Sequence, residues 1–129
     1  MAHGQLFQAS VGIRAGLILI EDPASSDLHE DWEPGESFVD AADASIYLSV
    51  QPSVDGPVNV SVHDGLNSIS GMQLYYEGEI ILESNSCLIY DADEHLSFSV
   101  PCPSGSARLR ILADEPGLAG NIAILFLSR

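Results

Sequence analysis

Apolar and polar residues alternate along most of this chain with a period of two. In residues 6–13 the side chains of Phe7, Ala9, Val11 and Ile13 fall on one side. Such alternation marks a strand with one face on a core. Residues 14–16, Arg-Ala-Gly, then either turn the chain or place a bulge in one long strand. Residues 42–50 alternate again, with Ala42, Ala44, Ile46, Leu48 and Val50 inward and Asp43, Ser45, Tyr47 and Ser49 outward. Residues 52–57, Pro-Ser-Val-Asp-Gly-Pro, form a turn by composition. Val58, Val60 and Val62 then return as the partner strand of a predicted hairpin. Residues 63–71 are a polar loop. Residues 72–76 and 79–83 predict strands, separated by a tight turn or bulge at Glu77-Gly78. Residues 84–86 turn, and 87–90 form a short strand. Leu96, Phe98 and Val100 alternate with serines before Pro101 and Pro103 end that strand. Leu109, Ile111 and Ala113 alternate with Arg108, Arg110 and Leu112. A Pro/Gly loop over residues 114–120 leads to the last strand, residues 121–128.

Two segments depart from the alternation. Residues 17–20, Leu-Ile-Leu-Ile, are apolar on both sides. In the last strand Ile122, Ile124 and Phe126 share one face, and Ala123, Leu125 and Leu127 the other. Strands of this kind are covered on both faces. Either they lie in the middle of their sheets, under loops, or one outer face meets a second copy of the chain. A homodimer is one of those two outcomes. Eight to ten short strands, turns about every ten residues and no amphipathic helix longer than two turns define an all-β chain. The expected fold is an antiparallel β-sandwich, with a jelly roll among the arrangements allowed. Its 129 residues fit a single domain, residues 1–129.

One stretch stands apart. Residues 21–43 hold Glu21, Asp22, Asp27, Glu30, Asp31, Glu33, Glu36, Asp40 and Asp43, which is nine of the 19 carboxylates, and no Lys or Arg. Trp32, the single tryptophan, is near its middle, and a short helical turn near residues 27–32 is plausible from its capping residues. Solubility or adaptation to high salt is the simpler reading of such acidity; the clustering favours a binding role. The whole chain has no lysine, four arginines and a formal net charge of −15. Such a field repels nucleic acid and anionic membranes and draws in basic proteins. The longest unbroken apolar run, residues 122–127, is far short of a membrane span. The N-terminal residues lack the basic-then-apolar pattern of a secretion signal, which predicts a cytoplasmic protein. Cys87 and Cys102 are then expected as free, buried thiols.

Other constellations offer little chemistry. The four histidines are scattered, with no HxH or HExxH pattern, and read most simply as surface residues. No GxSxG element or phosphate loop occurs, so no catalytic motif supports an enzyme, and no cofactor is implied. A small jelly-roll hydrolase would need a metal pair of histidines that the sequence lacks. Asp91, Asp93 and Glu94 sit close enough to hold Ca²⁺, but without the spacing of an EF-hand loop. A solvated acidic loop is the simpler reading. The alternative it leaves is a calcium- or carbohydrate-binding β-sandwich module using that loop with Tyr75, Tyr76 and Tyr90. Against this stands the acidic stretch. A rigid aromatic ringed by carboxylates suits a basic cleft, where the charges hasten encounter and the indole is a desolvated anchor. The simpler reading of Trp32 and Phe38 is that they tuck under a sheet edge and pin a loop.

Trp32 and Glu33, then Phe38 and the run Ala41-Ala42-Asp43-Ala44-Ser45-Ile46, resemble a bacterial family, competence protein J, whose members inhibit the nuclease of DNA uptake. Further on, Gly78-x-Ile80, Glu83-Ser84, the run Leu96-Ser97-Phe98-Ser99-Val100-Pro101 and Gly105 are similar to the family's later pattern. The resemblance spans roughly residues 11–113. Ala44 stands where the family has Gly, and two extra residues near Cys102 precede Gly105. The resemblance implies a small acidic inhibitor of a cognate nuclease, akin to the immunity proteins of basic toxins. Trp32 and Glu33 match the family's pattern. Charge clustering adds Asp27, Glu30, Asp31 and Glu36 to the expected partner-binding set.

Overall fold

The computed structural model describes residues 4–25, 38–65, 71–115 and 118–129. The candidate residues Asp27, Glu30, Asp31, Trp32, Glu33 and Glu36, and the helical turn expected near residues 27–32, lie outside the described residues.

Two five-stranded sheets face each other across a shared core. Ten strands appear in chain order: β1 (Gln5–Val11), β2 (Leu17–Glu21), β3 (Val39–Ala41), β4 (Ser45–Ser49), β5 (Val58–Asp64), β6 (Gln73–Ile81), β7 (Ser86–Tyr90), β8 (Ser97–Pro101), β9 (Ser106–Ala113) and β10 (Asn121–Ser128). One sheet runs β1-β5-β10-β9-β6 and the other β3-β4-β2-β7-β8. No α-helix occurs among the described residues; Ser53–Asp55 forms a 3-10 turn. Pairing is antiparallel throughout except between β5 and β10, which run parallel with Asn59 beside Asn121 and Val62 beside Ile124. The expected antiparallel sandwich is therefore present, with one parallel pair at its heart.

The alternating positions form the core. Val58, Val60, Val62, Ile122, Ile124 and Phe126 of the first sheet are fully buried, as are Ile18, Ile20, Ile46, Leu48 and Ile89 of the second. The two segments apolar on both sides are the middle strands: β10 is third of five in one sheet and β2 third of five in the other. Leu19, Ala123 and Leu125, on the outward sides, are buried within the chain itself. Leu17 and Leu127, on the same outward sides, stay partly exposed. Between β1 and β2 the chain turns: the Gly16 N–H donates to the Ile13 carbonyl at 3.0 Å. Gly16 has φ +67°, and a Cβ there would sit 3.0 Å from the Val50 carbonyl oxygen. Of the two readings of residues 14–16, the turn is the one observed.

Three local expectations are corrected. β4 and β5 do not form a hairpin. β4 pairs with β3 and β2, and β5 with β1 and β10. The turn at residues 52–57 carries the chain from one sheet to the other, so Leu48 and Val60 belong to opposite sheets of the same core and are not side by side. Residues 42–44 do not open β4; they turn the chain between β3 and β4, with the Ala42 N–H donating to the Ser45 carbonyl at 2.7 Å. Ser45 shares the outward side with Glu21, as expected, but is fully buried there. Finally, Glu77-Gly78 is no turn. β6 runs unbroken from Gln73 to Ile81 along β9, with its irregularity earlier, between Leu74 and Tyr76. Gly78 is in mid-strand because the Tyr76 ring lies over it: an added Cβ would fall 2.7 Å from the ring's Cζ and nearer still to its hydroxyl.

The sandwich has two open sides. On one, edge strands β1 and β8 meet through Phe7 and Phe98, whose rings stack with centroids 4.4 Å apart. On the other, β6 and β3 come together. The Ile81 N–H donates to the Asp43 carbonyl at 2.8 Å, and Phe38 stacks on Tyr75 with centroids 6.4 Å apart.

Candidate partner-binding surface

Both ends of the acidic stretch are described, and both rest on the β3–β6 side. Its start follows β2, the middle strand. Glu21, at the end of β2, accepts hydrogen bonds from the Ser45 hydroxyl at 3.0 Å and from the Tyr90 hydroxyl. Burial, then the bond to Glu21, pushes the Tyr90 phenol well above its usual range. Burial, then the Glu21 charge, raises Tyr47 as well. Glu21 is thus committed to holding β2, β4 and β7 together at their outer face.

Asp22 is buried and equally committed. Its carboxylate accepts from the Glu83 N–H at 3.0 Å and from the Ala24 N–H at 3.2 Å. Burial pushes its pKa upward. Hydrogen bonds from the Ser84 side chain and the backbone of Ala24, Glu83 and Ser84 outweigh that effect and hold it below the ordinary carboxylate value. The same device recurs twice. Asp91 directly follows β7 and accepts from the Leu96 N–H at 2.7 Å. Asp114 directly follows β9 and accepts from the N–H groups of Gly120 at 3.0 Å and Asn121 at 3.2 Å. An aspartate one residue past a strand hydrogen-bonds the backbone of the loop that follows. Counting acidic residues in the sequence did not separate these structural carboxylates from those free to meet a partner. Position just after a strand, with Pro23 next to Asp22, was the available signal.

At the far end of the stretch, Phe38 is 37% exposed. Asp40 lies opposite Tyr47 on β4, and Asp43 is exposed at the tip of the β3–β4 turn. A cavity of about 290 Å³ opens on this side, lined by Asp22, Ala24, Ser25, Asp43, Ala44, Ile81 and Glu83. Three of its seven lining residues are acidic, and none is basic.

The basic residues lie elsewhere. Strands β2, β3, β4, β7 and β8 contain no Lys or Arg. Arg108 and Arg110, on β9, both bind Glu77, at 3.0 and 2.7 Å. Arg129 pairs with Asp64 at 3.2 Å and donates to the Pro101 carbonyl. Arg14 is exposed in the β1–β2 turn. The sheet that launches the acidic stretch has no positive side chain on any strand; the nearest cations are Arg129, bonded to the end of β8, and Arg14 in the turn before β2.

The other candidates are dispersed. Asp91 points inward to its backbone donor, while Asp93 and Glu94 are exposed. No group of three His, Cys, Asp or Glu among the described residues is placed to hold a metal ion. Tyr75 is on the β6 edge, Tyr76 lies over Gly78, and Tyr90 binds Glu21. These three rings form no common platform with residues 91–94. His63, expected at the surface, is 7% exposed; its Nε2 meets the Ser61 hydroxyl at 3.0 Å and burial lowers its pKa. It belongs to β5, which runs further than the polar loop expected from residue 63. Cys87 and Cys102 are free and buried, as expected. Burial raises both thiols, so neither is poised as a nucleophile.

Among the described residues this arrangement is a β-sandwich of ten strands, with both described ends of the acidic stretch at one open side. The sequence matches no protein-family model and no curated protein. Among solved structures the chain shares its fold with ComJ, inhibitor of the DNA degrading activity of NucA, from Bacillus subtilis. The TM-score is 0.67 and the identity 14%, with 100% of both chains covered. It also matches the structure described as crocagin biosynthetic gene J, at TM-score 0.58 and 14% identity, over 100% of this chain and 99% of that one. At this level of identity the likeness is one of fold. It agrees with the family resemblance carried by residues 32–46, 78–84 and 96–105.

Proposed function

We propose that this chain is an inhibitor of a cognate nuclease, a binding protein and not an enzyme. It offers Asp27, Glu30, Asp31, Trp32, Glu33 and Glu36 to the basic cleft in which its partner holds DNA. The observation that carries this reading is the likeness of fold to ComJ over the full length of both chains. A fold alone does not fix a function; the charge distribution supplies the mechanism. A nuclease must hold polyanionic substrate with basic side chains, and an acidic segment on a sheet with no basic residue mimics that charge. Long-range attraction speeds encounter, and Trp32 supplies the apolar anchor once the surfaces meet. A carboxylate in the cleft also competes for a catalytic metal ion where the nuclease uses one.

The test is DNA degradation by a candidate nuclease, sought among proteins that co-purify with this chain, titrated with the purified protein. Stoichiometric inhibition is expected, with an association rate that falls steeply as salt is raised. The E30K/D31K/E33K variant should weaken inhibition by about a hundredfold or more, since repulsion replaces attraction at three contacts. Undiminished inhibition by that variant would refute the acidic mechanism, and no inhibition by the unaltered chain would refute the reading as a whole.

A further inference from the structure

The β3–β6 side presents apolar and acidic groups that the fold itself does not use. Phe38 is 37% exposed although its ring stacks on Tyr75, and Ile81 is 42% exposed at the end of β6. Ile81 also lines the cavity of about 290 Å³ whose other walls include Asp43 and Glu83. Asp22, the third carboxylate there, is held by its backbone donors, but its negative charge remains at the base. On the opposite side Phe7 and Phe98 stack against the core, and strands β1 and β8 carry no carboxylate. An exposed aromatic and an exposed isoleucine beside a concave, negatively charged opening are the parts of an interface centre, an apolar contact with a charge-selective pocket. The surface is continuous with the proposed inhibitory segment, because Ser25 lines the cavity and Phe38 borders it in sequence on the other end.

We propose that the β3–β6 side is a docking surface for the basic nuclease itself, in which the cavity receives one arginine side chain between Asp43 and Glu83 while Phe38 and Ile81 supply the apolar contact. The proposal rests on the inhibitor reading and extends it from the segment to the framework. Charge complementarity selects the occupant: the opening is lined by three carboxylates, Ile81 and small residues, and no cation, so a basic side chain with an apolar stem is favoured there. Arginine fits better than lysine, because its planar fork serves two carboxylates at once.

Two experiments test it. In the first, binding of the nuclease is measured for D43K/E83K, with D55K on the distant 3-10 turn as the control. The side chains of Asp43 and Glu83 are exposed, so the fold should survive. Affinity should drop by about tenfold or more for D43K/E83K and by less than about threefold for D55K. If D43K/E83K binds as D55K does while E30K/D31K/E33K fails to inhibit, the inhibitor reading stands and the docking surface is overturned. In the second, N-acetyl-arginine amide is titrated into isotope-labelled protein at low salt and followed by NMR. Saturable shifts confined to Asp43, Ala44, Ile81 and Glu83 are expected, weaker with the lysine amide and lost in D43N/E83Q. Absence of such shifts overturns the arginine pocket whether or not a nuclease is bound.

Discussion

The two open sides of this sandwich are closed by the same kind of contact to different ends. Between β1 and β8, Phe7 and Phe98 stack 4.4 Å apart and pack on the core. Between β3 and β6, Phe38 and Tyr75 stack 6.4 Å apart, Phe38 stays 37% exposed, and the Tyr75 hydroxyl donates to the Glu115 carbonyl at 2.9 Å. The first pair seals; the second supports. The difference teaches that aromatic stacking at a sheet edge is by itself no sign of function. What distinguishes the β3–β6 side is the company the rings keep: Asp40, Asp43, Glu83 and the two ends of the acidic stretch.

That contrast can be broken from either side. The largest loss of stability is expected for Phe98→Ala, which removes both a ring contact and apolar burial, at about 3 kcal/mol in a denaturant titration. Binding to the nuclease should stay unchanged wherever the variant is folded. Asp22→Ala comes next, at about 2 kcal/mol, because it leaves the N–H groups of Ala24 and Glu83 without their charged acceptor.

Asp22 also shapes the acid limb of stability. Its folded pKa lies below the ordinary 3.8, and Asp114 behaves alike. Their contribution is present above that value and is lost as pH falls through the lowered folded pKa. His63 acts earlier. The unfolded chain takes up a proton near 6.5, while burial keeps the folded ring neutral to lower pH, so stability begins to decline as pH drops below about 6.5. A pH series should show both declines in the parent protein, and the steeper acid one should be reduced in Asp22→Ala. The smallest effect on stability is expected for Phe38→Ala, about 0.5–1 kcal/mol, in contrast to a clear loss of nuclease affinity. If Phe38→Ala destabilises the fold as much as Phe98→Ala, the two sides are equivalent and the contrast fails.

Much of this fold was legible in the residues. Alternation in β1, β8 and β9 gives the inward faces correctly, and the double-faced runs of β2 and β10 mark the sheet centres. Pairing was not legible in the same way. Val58, Val60 and Val62 declare a buried face, but not which strand lies beside them, and a turn containing Asp-Gly looked like a hairpin where it is a crossing between sheets. Gly78 reads as a turn because glycine usually serves backbone freedom; here it makes room for the Tyr76 ring. Residues 42–44 turn without any glycine or proline, so the alternation of Ala42 and Ala44 misled. In the acidic stretch, charge density was visible, but the division of labour was not. Glu21 and Asp22 are tied to Tyr90, Ser45, Ala24 and Glu83, partners remote in sequence or set by a turn. The framework residues Ile81 and Glu83 were legible only once β6 was placed beside the β3–β4 turn.

The parallel pairing of β5 with β10 has a consequence for how the molecule is made. Asn59 and Asn121 sit side by side and even share a hydrogen bond, yet they are 62 positions apart in the chain. β10 is the strand that joins β1-β5 to β9-β6, and of the ten described strands it is synthesised last. Until then one sheet exists only as two unconnected halves, while β2, β3, β4, β7 and β8 of the other have all been synthesised. Such long-range closure is slow, so the emerging chain is expected to carry an unfinished sheet until β10 is made, and removing β10 should cost the whole fold and not one strand of it.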